Sequence, residues 1–245
     1  MDFYSNISRY YDEIFPLNSA QITFIQRCFD SPYHNVNLLD AGCGTGVLAI
    51  ELAEKGFNVH AIDYEPRMIA KAKKKKENLN LPGSPIFDEA DMRLISQKFI
   101  PGTFNAVISF GNTLVHLLDD NDVMTFFEGT KRVLKDNGYF LIQVLNYDYI
   151  LDKKIGMLPV IENDNILFER FYDFKDKKYL DFITRLTVKS DNRVFLNQIK
   201  LNPLRKNKIN EFLHKAGFKE VTFFGDFAGG PAGGDSLPLI CAARK

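Results

Sequence analysis

The 245 residues predict an α/β protein: a doubly wound, mostly parallel sheet of seven strands with helices on both faces, carrying an inserted antiparallel β meander. Three observations predict it. Short apolar runs alternate with helical periodicities from residue 37 to 146 and again after 205. A glycine-rich turn, Asp40-Ala41-Gly42-Cys43-Gly44-Thr45-Gly46, joins the first apolar run to the first helix. Between 147 and 202 the periodicity switches to two.

The first strand is expected at 37–40, and the helix after Gly46 places Val47, Leu48, Ile50, Leu52 and Ala53 on its buried side. Lys55-Gly56 stops that helix and releases a second strand at 58–62, which leads into Asp63. The next helix follows Pro66, whose fixed φ suits a first helical turn, and ends in the lysine-rich stretch before Pro82. Strands at 85–89 and 104–109, a helix at 122–134 and a strand at 138–146 continue the alternation. Runs at 166–174, 178–189 and 194–201 then alternate apolar and polar residues, parted by Lys175-Asp176-Lys177 and Ser190-Asp191-Asn192. A helix at 205–216, stopped by Gly217, and strands near 221–225 and 238–243 return to the parallel architecture. The expected organisation is one domain made from 1–146 and 203–245, with 147–202 inserted as a lid or substrate subdomain.

Composition narrows the partners. Lys plus Arg equals Asp plus Glu at 31 each, so the chain lacks the global positive field of a protein that binds nucleic acid or anionic membranes. Cys28, Cys43 and Cys241 are odd in number, widely spaced and without CxxC spacing, which suggests neither a disulfide framework nor a metal site. The opening 16 residues have no apolar core of a targeting signal, and no stretch reaches the length of a membrane span. These features predict a cytoplasmic protein acting on a small molecule, as a monomer or homodimer.

The glycine turn follows a strand and opens a helix. Its glycines can take positive φ and bring backbone N–H groups close to a ligand. Asp63, at the end of the next strand, can accept both hydroxyl protons of a ribose. Loop and acid together, in this order, predict a nucleoside-containing ligand.

Asp40 followed by Gly42, Gly44 and Gly46 resembles the acid-GxGxG motif of the class I S-adenosylmethionine-dependent methyltransferases, whose fold is Rossmann-like. A dinucleotide-binding GxGxxG would place its third glycine at Val47. The resemblance continues through Ala90-Asp91-Met92, where the family sets an acid against the adenine amino group and an apolar side chain against the ring. It also takes in Phe110-Gly111-Asn112, which in the family lies along the methionine portion, and the closing Gly217-Phe218 and 239–245. It implies S-adenosylmethionine as cofactor, held by Asp40, Gly42, Gly44, Gly46, Asp63, Tyr64, Asp91, Met92 and Phe110. Tyr10-Tyr11-Asp12, the segment from Gly111 to Leu117 and the meander look like the glycine N-methyltransferase-like, small-molecule branch. The Asp/Asn-Pro-Pro-Tyr tetrapeptide of DNA and protein amide methyltransferases and the Pro-Cys of cytosine-C5 enzymes are missing from the sequence.

Other residues admit two readings. Asp91 either contacts adenine or caps a helix. His116 is either a general base or a structural hydrogen-bonder, and Tyr11 is a second candidate proton acceptor. Lys71 and Lys73 to Lys76 form either a solvated helix face, the favoured reading, or a phosphate patch. The aromatics Phe168, Phe171, Tyr172, Phe174, Tyr179 and Phe182 make either an ordinary sheet core or a substrate cage, and Arg170 and Arg185 either face a carboxylate or make surface ion pairs. The expected reaction is direct SN2 transfer to an N or O nucleophile, without metal. The rivals are a non-catalytic S-adenosylmethionine-binding regulatory module and a nicotinamide-dependent oxidoreductase.

Overall fold

The computed structural model describes residues 7–245 except Asn78, Ser84 and Lys177. Met1 to Asn6 of the opening segment and Lys177 of the first meander turn therefore lie outside the described residues. Strands are β1 Asn37–Ala41, β2 Asn58–Asp63, β3 Ile86–Glu89, β4 Phe104–Ser109, β5 Leu134–Leu145, β6 Ile161–Glu162, β7 Ile166–Asp173, β8 Leu180–Val188, β9 Arg193–Leu201, β10 Lys219–Phe224 and β11 Pro238–Arg244. α-Helices are α1 Tyr11–Ile14, α2 Ser19–Gln26, α3 Val47–Glu54, α4 Pro66–Lys76, α5 Ile95–Lys98, α6 Asp120–Val133, α7 Tyr147–Asp152 and α8 Lys206–Lys215.

The main sheet has seven strands in the order β10-β11-β5-β4-β1-β2-β3. β1, β2, β3, β4 and β5 pair in parallel, and β11 runs antiparallel to both of its neighbours, β5 and β10. Sequence order reverses between β1 and β4, the point where ligands bind in open α/β sheets. The two faces follow from the pleat. Leu39, Val107, Phe140 and Ile142 point into a cluster with Val123, Phe126, Phe127, Ile209 and Leu213 of α6 and α8. Their neighbours Leu38, Ala106, Ile108 and Leu141 point to the other face, against Ile25, Ala49, Leu52 and Ile69 of α2, α3 and α4.

The meander is a separate four-stranded antiparallel sheet, β6-β7-β8-β9. Three things differ from the sequence expectation. The closing strands do not simply resume the parallel architecture, because β11 enters between β5 and β10 antiparallel to both. The segment after Asn146 begins with a helix, α7, because the Asn146 side chain caps it by accepting from the Tyr149 N–H at 3.2 Å. Its Tyr147 and Ile150 are buried in the main core. Upstream of β1, where the sequence reading placed no element, the chain forms α1 and α2, and Asn18 caps α2 through the Ala20 N–H at 3.0 Å.

The meander is tied down where it leaves the domain and returns to it. At the entry, Asn146 Nδ2 donates to the Ser236 carbonyl at 3.0 Å. At the exit, the Asn202 N–H donates to the Val115 carbonyl at 2.8 Å and its Nδ2 to that of Leu117 at 3.2 Å. Both ties lie on one end of the main sheet, at the C-terminal end of β5 and on the segment that follows β4. No helix among the described residues is long and apolar enough to cross a membrane.

Candidate active site

The glycine turn is fixed by β2 beneath it. The Gly42 and Cys43 N–H groups donate to the Ile62 carbonyl at 2.8 and 3.0 Å, so the chain leaves β1 already bent toward its neighbour. Gly46 is the N-cap of α3 with φ of 78°. A Cβ there would meet the Phe87 ring at 2.6 Å and Ala72 Cβ at 2.7 Å, so glycine is required both by conformation and by the close packing of helix on sheet. A Cβ at Gly42 would drive into the Thr113 side chain, placing the loop after β4 directly against the turn.

Asp63 closes the other side. Its Oδ2 accepts from the Gly44 N–H at 2.8 Å and its Oδ1 from the Glu65 N–H at 2.9 Å, which orients the carboxylate toward the turn and leaves each oxygen a further lone pair. Burial raises its pKa, opposed by those N–H bonds. Tyr64, beside it, is 76% exposed. Below the turn Asp40 is 2% exposed, and its Oδ2 has no hydrogen-bond partner among the described residues. Burial, then the Asp63 charge, pushes its carboxyl up to about 7.

The N-terminal segment lies across the opening. The Tyr11 ring would be 3.1 Å from a Cβ at Gly44, so it rests on the turn. Thr45 Oγ1 donates to Asp12 Oδ1, while Lys75 Nζ bonds Thr45 Oγ1 at 2.8 Å and pairs with Asp12 Oδ2 at 2.6 Å. This clasp went unseen in the sequence, because Lys75 sits within a lysine run that reads as solvated. Lys71 donates to the Ser8 carbonyl and Lys76 to that of Pro85, so three of these lysines bind protein groups.

The loop after β4 forms the third wall. Phe110 is buried against Phe227, with ring centroids 5.0 Å apart, on the sheet face that carries α2 to α4. Asn112 Nδ2 donates to the Tyr147 hydroxyl at 3.0 Å, and its Oδ1 accepts from the Leu145 N–H at 2.9 Å. His116 ends the short 3-10 helix Thr113–His116, and burial drives its imidazole down to about 4. Tyr11 moves the other way: burial, then Asp63, Cys43, Asp12 and Asp40, lift its phenol well above the ordinary value. A neutral imidazole this weak and a phenol held protonated are both poorly suited to take a proton from an ammonium group.

Asp91 follows β3 and its Oδ1 accepts from the Arg93 N–H at 2.9 Å, the helix-capping geometry. Arg93 Nε also donates to Asp91 Oδ2 at 2.9 Å, and this ion pair holds the carboxyl below its usual range. Met92, next to it, packs on the main core.

The meander separates the two arginines that alternation left open. Arg185 faces outward, 53% exposed and 3.7 Å from Glu169. Arg170 lies on the face that carries the buried Phe168 and Tyr172. The aromatics do not form one cage: Phe168 and Tyr172 share the inner face while Phe171 lies between them on the outer one. Tyr179, in the turn, is covered by Lys178 and Lys200 at 4.9 and 5.4 Å.

Comparison with known proteins places the chain in a family. Residues 38–138 match a family model described as a methyltransferase domain. The chain is similar to the glycine/sarcosine N-methyltransferase of Aphanothece halophytica, 32% identical over 78% of this chain and 69% of that protein. It is also similar to mouse glycine N-methyltransferase, 34% identical over 46% of this chain and 42% of the mouse protein. Among solved structures, an S-adenosylmethionine-dependent methyltransferase from Clostridium acetobutylicum superposes with a TM-score of 0.81 at 18% identity, covering 99% of both chains.

Proposed function

Because the chain belongs to the class I S-adenosylmethionine-dependent methyltransferases, in their glycine N-methyltransferase-like branch, we propose that it methylates the nitrogen of a small amine. The observation that carries this reading is the 32% identity, over most of both chains, to a protein named for methylating glycine and sarcosine. When bound, S-adenosylmethionine supplies a methyl group already activated on a sulfonium. The protein's task is then alignment and exclusion of water.

The residues present fit that cofactor. Asp63 keeps free lone pairs beside the glycine turn for two ribose hydroxyls, and Tyr64, Asp91, Met92 and Phe110 are the further residues proposed to hold it. Asp40 holds a buried carboxylate oxygen without a partner, suited to a cationic amino group. In this proposal Gly42, Gly44 and Gly46 form the floor, and Tyr11, resting on Gly44, closes the site from water.

The acceptor nitrogen needs a lone pair, so an ammonium has to lose its proton first. With His116 titrating near 4 and Tyr11 held as the phenol, neither takes that proton; it leaves to solvent before the site closes. The two side chains instead offer hydrogen-bonding groups that position the amine. Residues 147–202 serve as the acceptor-side subdomain over this centre.

A screen of glycine, sarcosine and other small amines for S-adenosylhomocysteine formation tests the reading. Multiple turnovers on an amine support it; turnover only on hydroxyl acceptors, or none with cofactor bound, rejects it.

A further inference from the structure

Asp91 carries an interaction that capping alone does not require. Its Oδ1 accepts from the Arg93 N–H at 2.9 Å, which is enough to start the short 3-10 helix Met92–Leu94. The Arg93 side chain then folds back over the same carboxylate. Its Nε lies 3.0 Å from Oδ1 and 2.9 Å from Oδ2, and its Nη2 lies 2.5 Å from Oδ2. The other terminal nitrogen, Nη1, donates to Asp122 Oδ2 at 2.9 Å, in the first turn of α6. One planar group therefore bridges the loop after β3 to a helix, and both of its ends are fixed. With Arg93 40% exposed the pairs contribute little stability, so their geometry is the informative part.

That geometry limits what else Asp91 can bind. An ionised carboxylate has about four lone-pair sites. Arg93 brings three N–H groups to them, from its backbone nitrogen, Nε and Nη2, so one site is left. Among the described residues no other side chain shifts the titration of this carboxyl, and the arginine keeps it ionised below the usual range. It is an acceptor with room for one donor. Its place is set by the sheet: Glu89 pairs with Asp63 in register, and the Ala90 N–H donates to the Asp63 carbonyl at 3.0 Å. Asp91 thus leaves the sheet one residue beyond the pairing that anchors the proposed ribose acid. The exocyclic amino group of an aminopurine offers the single N–H that this site lacks, whereas an oxopurine turns a carbonyl oxygen toward a negative charge.

We propose that Arg93 is a positioning residue for the cofactor: clamped between Asp91 and Asp122, it fills all but one acceptor site of Asp91 and fixes the direction of the one that remains, which makes the site selective for an aminopurine over an oxopurine nucleoside. This rests on the placing of Asp91 at the cofactor under the proposed function and adds what orients it. Arg93 acts through Asp91 and touches no cofactor atom itself.

Calorimetric titration with S-adenosylhomocysteine and with its deaminated analogue, S-inosylhomocysteine, tests this. The wild type should prefer the adenosyl form by about 30-fold or more. Arg93→Met should weaken S-adenosylhomocysteine about tenfold and leave S-inosylhomocysteine within about threefold, so that most of the preference disappears. A loosened loop without the proposed role would weaken both nucleosides alike. Should Arg93→Met melt well below the wild type, Asp122→Ala decides: it removes the far anchor, keeps Asp91 and Arg93, and should cut the preference at least about threefold. A preference that Arg93→Met leaves intact, equal weakening of both nucleosides, or tighter binding of S-adenosylhomocysteine, which would make the arginine a competitor of adenine, overturns the proposal. Asp91→Ala separates it from the reading on which it rests. If that variant binds S-adenosylhomocysteine as the wild type does, Asp91 is not at the cofactor and both fall; if it loses the preference while Arg93→Met keeps it, only the part assigned to Arg93 is overturned. Binding is read without turnover, so failure to methylate any amine bears on the amine-acceptor reading alone.

Discussion

The glycine turn and the inner face of the meander are joined through the rings of Tyr11, Phe15 and Phe168, yet they are built in contrasting ways. Around the turn the backbone is saturated: Gly42, Cys43 and Gly44 all donate to partners on β2 or to Asp63. Asp40 beneath them is the exception. The meander face is apolar except for one row, and two members of that row, Arg170 and Thr184, hold buried atoms without partners. A site for an invariant cofactor is well served by backbone geometry that substitutions scarcely alter. The proposed acceptor side would be served instead by side chains on a pleated surface, where changing one residue changes the specificity.

Four substitutions can break or sharpen that contrast. The largest effect belongs to Gly46→Ala, which combines a positive φ with a Cβ 2.6 Å from Phe87. It should lower unfolding free energy by about 2–5 kcal/mol in urea titrations. A loss below about 1 kcal/mol would mean that the turn is less rigid than its geometry indicates. Next is Asp63→Ala, expected to weaken S-adenosylhomocysteine binding by about 2–4 kcal/mol in calorimetry, since a partly buried charged acceptor is removed. Unchanged affinity in a folded variant would remove Asp63 from the site.

Asp40 gives a pH test. Its carboxyl titrates near 7 in the free protein, raised from 3.8, so folding favours the protonated form. The stability it contributes is complete below about pH 4 and is lost as pH rises through 7. Binding a cationic group needs the ionised form and releases a proton below that pH. Affinity for S-adenosylhomocysteine should therefore fall by up to about tenfold per unit as pH drops below 7, and Asp40→Asn should flatten that slope. A slope identical in both proteins contradicts the assignment. The smallest effect is expected for Lys75→Met. Asp12 is 46% exposed and Lys75 31%, so the clasp contributes about 0.5–1 kcal/mol. The change should appear as faster amide exchange in α1 with little shift in global stability; unaltered exchange would show that Tyr11 is held by other contacts.

The parallel half was largely legible in the sequence. Residues 37 to 63 carry strand period, glycine turn, helical period and a terminal acid in one continuous stretch, and each signal is local. α7 escaped because it has six residues, too few for periodicity to show, and its capping Asn146 also reads as the end of a strand. α2 has a weakly amphipathic sequence and no charged face to mark it. In the meander both faces hold an arginine and several apolar residues, so alternation alone left Arg170 and Arg185 equivalent. Only register, set by turns that sequence does not fix, places Thr184 opposite Arg170. The Asp12–Thr45–Lys75 clasp joins residues from three distant segments and has no local signature.

The proposed division of labour between the two regions is tested most directly by measuring, on Asp63→Ala and on Arg170→Gln of the acceptor-side subdomain side by side, the calorimetric Kd for S-adenosylhomocysteine and the KM for the amine acceptor. The account predicts that Asp63→Ala raises the cofactor Kd at least about 30-fold, while Arg170→Gln leaves that Kd within about threefold and raises the acceptor KM at least about tenfold. Equal weakening of cofactor binding by both variants, or an acceptor KM that Arg170→Gln does not change, would contradict it.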